Sequence, residues 1–151
     1  MPPRAPAPVR PRGHTLVVPW RALQRSRAIS APPRQPVGVL AVDDDPNFLR
    51  VARMVVDATP GFDYIGEAST GEDALPLVSA LRPQLVLMDV RMPGMGGIEA
   101  ARRICAQGGA TVVMMSCDPT LLTLDDVLAG DVRVVRKERL SPGALRALWR
   151  R

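Results

Sequence analysis

The sequence predicts an α/β fold, a doubly wound parallel sheet of five strands with helices on both faces. Two observations carry this expectation. From Val37 onward, short apolar runs alternate five times with amphipathic segments, and such alternation builds a parallel sheet through right-handed crossovers. Aromatic residues make up only 3% of the chain while hydrophobic residues make up 46%. The core must then be Val, Leu, Ile, Met and Ala, which suits strands buried on both faces better than a surface on which nucleobases stack.

The elements follow in order. Residues 37–42 are apolar and end in Asp43-Asp44-Asp45-Pro46, where Asp45 can cap a helix and Pro46 fits its first position. That helix runs to about Ala58 with Phe48, Leu49, Ala52, Val55 and Val56 inward, and Pro60-Gly61 ends it. Residues 62–68 read as the second strand. Thr70-Gly-Glu-Asp73 resembles a capping box for a helix to Leu81, with Pro76 inside it. Residues 85–88 form a third strand leading to Asp89. The loop Gly94-Met-Gly-Gly97 precedes a helix over 98–107, and a fourth strand spans 111–115. A helix over 121–128 completes the fourth pair, and a strand over 132–135 opens the fifth. Ser141-Pro142 opens a last helix with Leu145, Leu148 and Trp149 on one face.

At 151 residues the chain has room for one domain and a tail. Nine of its sixteen prolines fall within residues 1–36. Such a segment buries too little apolar surface to offset the entropy of ordering it. Residues 1–35 are therefore expected to be a disordered arm and residues 36–151 the folded domain. The arm carries Arg4, Arg10, Arg12, Arg21, Arg25, Arg27 and Arg34 and no acid, leaving 13 basic against 15 acidic residues in the remainder. The net charge of +5 thus belongs to the arm, and it is no ground for inferring nucleic-acid binding by the folded domain. Cys105 and Cys117 lack the spacing of a zinc site and read as reduced thiols of a cytoplasmic protein. No run approaches the length of a membrane span.

In doubly wound sheets the ligand site lies beyond the carboxyl ends of the strands. The residues there are Asp43 and Asp44, then Asp89, Ser116 and Lys137. Carboxylates brought so close repel one another unless a cation intervenes. A hard divalent ion such as Mg2+ relieves this with oxygen ligands and a phosphate. Lys137 suits a phosphoryl oxygen as a point charge, and Ser116 can donate to another. Read singly, Ser116 is an ordinary strand end and Asp45 a helix cap. Lys137 is the one lysine among twenty basic residues, which favours a role that arginine cannot fill.

Val39-Leu-Ala-Val-Asp43-Asp44-Asp45-Pro46, Leu85-Val-Leu-Met-Asp89-Val-Arg-Met-Pro93-Gly-Met-Gly-Gly97, Val112-Val-Met-Met-Ser116 and Arg136-Lys137 resemble, in order, the signatures of response-regulator receiver domains. The resemblance covers roughly residues 37–151 and implies a flavodoxin-like (βα)5 fold. It implies that Asp89 accepts a phosphoryl group from a histidine kinase or phosphotransfer protein, forming an acyl phosphate. Mg2+ would be held by Asp44, by Asp43 directly or through water, by Asp89, and by the backbone carbonyl of Arg91. Ser116 and Lys137 would bind the phosphoryl oxygens. Three positions depart from the family pattern. Val134 stands where many receivers have an aromatic residue, Cys117 where a small residue is usual, and Glu138 where proline follows the lysine.

The first functional reading is therefore a stand-alone receiver in the cytoplasm. It would be a phosphoacceptor switch with at most self-catalysed phosphotransfer and autodephosphorylation, not an enzyme in its own right. It would act through protein contact with an output partner, as a monomer or a weak phosphorylation-dependent dimer without specific DNA binding. A truncated transcriptional regulator is a close variant. The second reading is a nucleic-acid or acidic-partner binding protein acting through the Arg-rich arm. A metal-dependent phosphohydrolase ranks below both, because Arg91 stands where an aspartate-based phosphatase motif has its second acid. The arm offers the domain few apolar anchors, so a chain beginning at Gln35 is expected to melt like the full chain. A melting temperature several degrees lower in calorimetry would move the boundary.

Overall fold

The computed structural model describes residues 35–118, 120 and 132–150. The described chain runs β1 (Val37–Val42), α1 (Pro46–Asp57), β2 (Phe62–Ala68), α2 (Gly71–Leu81), β3 (Leu85–Asp89), α3 (Gly97–Gln107), β4 (Thr111–Ser116), β5 (Arg133–Arg136), a 3-10 turn (Lys137–Arg139) and α4 (Pro142–Trp149). All pairings are parallel and the strand order is β2-β1-β3-β4-β5. This is the five-stranded parallel sheet that the alternation predicts. The helix expected over residues 121–128 lies outside the described residues.

The helix ends follow from local chemistry. The Asp45 side chain accepts from the Asn47 N–H, Thr70 from Asp73 and Ser141 from Ala144, so three helices begin on a side-chain cap. The boundaries that moved did so at strand and helix ends. β3 and β4 each run one residue further than expected, to Asp89 and Ser116, because both residues continue the ladder, pairing with Met115 and Arg136. β5 is shifted one residue along, to Arg133–Arg136, and its pairing with β4 starts at Arg133 opposite Val113. In α4, Leu145 is buried and Leu148 half-buried, whereas Trp149, the last helical residue, is exposed.

Side chains alternate across a strand, and the sheet sorts its core accordingly. Leu40, Val42, Val86, Met88, Val112 and Met114 pack on one face with Val78 of α2 and Ile104 of α3. Val39, Ala41, Leu85, Leu87, Val113 and Met115 pack on the other with Phe48, Leu49 and Val56 of α1 and Leu145 of α4. The same alternation carries Asp43, beyond Ala41, and Asp89, beyond Leu87, onto the face that α1 covers.

One close approach sets the geometry at the end of β3. A Cβ placed on Gly97 would lie 1.7 Å from the carbonyl oxygen of Asp89, and the Gly97 N–H donates to the carbonyl of Val90 at 3.3 Å. Only glycine lets the start of α3 close against the strand end in this way. Gly97→Ala must push backbone against backbone, which is expected to cost about 1 to 3 kcal/mol, the range for overpacked sites. Chemical denaturation of the variant reads this directly, and an unchanged midpoint would show that the approach is not a constraint.

Candidate functional site

Strand order reverses at β1, which lies between β2 and β3 although the chain visits β2 in between. Doubly wound sheets bind ligands at such a switch point, beyond the carboxyl ends of the strands. Here those ends carry Asp43 and Asp44 from β1 and Asp89 from β3. One ligand oxygen from each of the three lies within 4.8 Å of the other two. Asp43 is fully buried and Asp89 is 4% exposed, while Asp44 is exposed at the rim.

Lys137 enters this cluster from the 3-10 turn after β5. Its Nζ lies 2.5 Å from Oδ2 of Asp43 and 3.0 Å from Oδ1 of Asp89. The other Asp43 oxygen, Oδ1, accepts from the backbone N–H of Asp45 at 2.9 Å. Oδ2 is buried and meets only the Lys137 ammonium among the described residues. The ring of Phe48 closes a third side of the ammonium, its centroid 4.8 Å from Nζ. The Lys137–Glu138 peptide is trans, since no peptide bond among the described residues is cis.

The electrostatics of this arrangement are unbalanced. At separations up to 4.8 Å, two carboxylates repel by about 3 kcal/mol or more at an effective dielectric near 20. Three such charges face one ammonium. Burial, the largest cause, raises the carboxyls of Asp43 and Asp89 above their ordinary range. Lys137 opposes the shift at both, and the negative neighbours add to it. Burial alone would lower the Lys137 ammonium, yet the two carboxylates hold it above its usual value, so it stays charged. An all-oxygen donor set of three grouped carboxylates, with negative charge in excess of the one ammonium, fits a hard divalent cation such as Mg2+. Asp45 is not among the three, since its side chain caps α1.

The remaining residues singled out in the sequence stand apart. Arg91 lies exposed on the loop after β3, and the adjacent Val90 N–H donates to Met115. Ser116 is buried at the end of β4, but its hydroxyl donates to the carbonyl of Asp118 at 2.8 Å and accepts from the Asp118 N–H at 3.0 Å. The structure thus brings together Asp43, Asp44, Asp89 and Lys137, while the Ser116 hydroxyl is engaged in its own loop. Two residues read from sequence only as helix core and helix start, Phe48 and Glu72, prove to shape the site. Phe48 touches the Lys137 ammonium, and Glu72 accepts from the Met95 N–H at 2.7 Å, tying the start of α2 to the loop after β3. The position of Phe48 in the first turn of a helix aimed at the strand ends was the available signal for the former. No local pattern marked the latter.

Comparison with known proteins agrees with this geometry. The family model for the response regulator receiver domain matches residues 39–138. The chain belongs to this family. The Myxococcus xanthus protein-glutamate methylesterase/protein-glutamine glutaminase 4 is 41% identical over 81 residues, which is 54% of this chain and 23% of that protein. The response regulator GacA of Pseudomonas aeruginosa is 46% identical over 70 residues, 45% of this chain and 32% of the relative. The chain therefore spans between about a fifth and a third of the length of such relatives. Among solved structures, the response regulator domain of Thermotoga maritima CheB superposes with a TM-score of 0.67 at 25% identity, covering 75% of this chain and 93% of that one. A LuxR-family two-component response regulator from Aurantimonas gives a TM-score of 0.66 at 29% identity, covering 74% and 81%. No described helix is long and apolar enough to cross a membrane.

The raised carboxyls have a consequence for stability. A carboxyl whose folded pKa lies above its unfolded value opposes folding once ionised, and the opposition fades as the pH falls through the folded value. Lys137 retains Asp43 when Asp89 is neutralised. Metal-free Asp89→Asn is therefore expected to melt no lower than the parent near neutral pH, with the difference shrinking as the pH is lowered. Mg2+ at a hundred times its Kd should stabilise the parent by about 2.7 kcal/mol, an increment that Asp44→Ala loses and Asp45→Ala keeps. Melting curves with and without Mg2+ test both, and equal losses in the two alanine variants would displace the ligand set.

Proposed function

We propose that this receiver is a phosphoacceptor switch that takes a phosphoryl group onto Asp89 from the phosphohistidine of a histidine kinase or phosphotransfer protein. The observation that carries the reading is the buried Asp89 carboxylate, contacted by Lys137 and grouped with Asp43 and Asp44 at the switch point of the sheet. In the transfer, an Asp89 carboxylate oxygen bonds to phosphorus and the P–N bond to the donor imidazole breaks. The imidazole leaves with the bonding electron pair and takes a proton, and the product on Asp89 is an acyl phosphate. Such transfers ask the protein for alignment and charge neutralisation more than for covalent chemistry.

Each residue has a part in that alignment. Asp44, Asp43 and Asp89, with the backbone carbonyl of Arg91, would hold Mg2+. When bound, the ion supplies positive charge that offsets the carboxylates and the phosphoryl oxygens. Lys137 neutralises a phosphoryl oxygen from the place it now occupies beside Asp89. Ser116 can donate to another only by giving up its bond to the Asp118 carbonyl, so its contribution couples the site to the loop after β4. The output is contact with another protein, and the compartment proposed is the cytoplasm. The methylesterase activity in the names of the relatives belongs to those proteins.

The test is incubation with Mg2+ and a small phosphodonor, followed by intact-mass measurement. The parent is expected to gain one phosphoryl group, stable in acid and labile in base, and Asp89→Asn none. Lys137→Ala should slow the gain by at least tenfold, since removing a charge-stabilising donor from a site of this kind typically costs ~10²–10³ in rate. Persistence of the mass gain in Asp89→Asn would overturn the assignment.

A further inference from the structure

We propose that Phe48 is a positioning residue for phosphoryl transfer, its ring face holding the Lys137 ammonium against the Asp89 oxygen. The inference rests on the reading of Asp89 as phosphoacceptor. Among the described residues, three groups surround Nζ of Lys137: Oδ2 of Asp43 at 2.5 Å, Oδ1 of Asp89 at 3.0 Å and the Phe48 ring centroid at 4.8 Å. The last distance lies within the roughly 6 Å over which a ring quadrupole attracts a cation. Lys137 is only 15% exposed along its side chain, and Phe48 is buried, so little water competes for that face of the ammonium.

The location follows from the chain. Asp45 caps α1 and Pro46 opens it, which places Phe48 in the first turn. Helical side chains lean toward the N-terminus of their helix, so the ring covers ground beside the acidic residues that precede α1. It belongs to the core cluster that includes Leu49, Ala52 and Val56 of α1 and Leu145 of α4. Phe48 thus joins the apolar cluster to the Lys137 charge.

The value of the ring lies in what does not change there. During the cycle, Asp43 would share its charge with Mg2+ and Asp89 would become an acyl phosphate, so two of the three neighbours of the ammonium alter their chemistry. The ring has no proton to exchange and no charge to lose. It holds the ammonium in place through both changes. An aliphatic side chain at this position would leave the same face of Nζ dry but without attraction, freeing Lys137 to swing toward solvent.

The test uses the full chain carrying Phe48→Leu or, by site-specific incorporation, 3,4,5-trifluorophenylalanine at position 48, which keeps the ring's shape while withdrawing negative potential from its face. Phosphorylation rates are read by intact mass with a small phosphodonor at saturating Mg2+. Phe48→Leu is expected to slow the reaction about two- to thirty-fold, the range of one cation–π contact. The fluorinated protein should be slowed several-fold with an unchanged melting temperature. A second readout needs no assignment, because Lys137 is the only lysine in the chain. In protein labelled with 13C-lysine, the ε-methylene protons should be shifted upfield by the ring in the parent and return toward the free value in Phe48→Leu. Parent-like rates in both variants, or slowing confined to Phe48→Leu and matched by a lower melting temperature, would reduce the ring to core packing and overturn the proposal. An unmoved lysine signal in Phe48→Leu would overturn it as well. A parent protein that gains no phosphoryl group on Asp89 would instead defeat the phosphoacceptor reading, and the lysine signal would still decide whether the contact exists.

Discussion

The structure is organised around one unbalanced charge cluster, in which a single ammonium faces two buried carboxylates and a third at the rim. Lys137 contacts both Asp43 and Asp89, yet burial keeps both carboxyls above their ordinary range. Desolvation therefore outweighs the ion pairs. A protein selected only for stability gains by replacing such a group with apolar residues. The cluster keeps more negative charge than its one ammonium offsets, and its ligand atoms are all oxygen, the donor type that a hard cation takes.

Much of the fold can be understood as the means of holding that cluster together. The sheet supplies its rigid floor, with β1 and β3 paired from Val39–Leu85 to Val42–Met88, immediately before the two acids. Asp45 ends β1 by capping α1, and its own N–H steadies Oδ1 of Asp43. Gly97 lets α3 begin in contact with the Asp89 carbonyl, and Glu72 binds the intervening loop through the Met95 N–H. Repulsion among the acids is thereby resisted by elements whose own stability comes from apolar packing far from the charges. β5 and α4 are joined in turn by Arg133, which donates to the Leu148 carbonyl at 2.7 Å.

What could be read in the sequence divides along the same line. Strand and helix positions were legible because apolar periodicity and capping residues are local signals, and Thr70, Asp45 and Ser141 cap where their types predict. The juxtaposition of Asp43, Asp44, Asp89 and Lys137 was legible because a parallel sheet brings all strand ends to one edge. The direction of a hydroxyl was not. Ser116 sits at the expected strand end, but its bonds are settled by the turn that Asp118 makes, itself fastened by Thr120. Nor was the contact between Phe48 and Lys137, since an inward-facing aromatic reads as core whether or not a cation lies against it. Contacts between residues 89 apart in sequence have no periodicity to reveal them.

The choice of lysine at position 137, in a chain whose nineteen other basic residues are arginines, finds its reason in the same geometry. The space beside Asp89 is bounded by two carboxylate oxygens at 2.5 and 3.0 Å and a ring face at 4.8 Å from one nitrogen. An ammonium is compact and directs its three donors independently, so one atom can serve both carboxylates while its remaining face rests on the ring. A guanidinium is planar and presents its donors as a fixed fork. It would pair with one carboxylate in bidentate fashion, and its width would intrude on the space that the acids leave for a cation. The single lysine is therefore a consequence of asking one small charge to meet three groups at once.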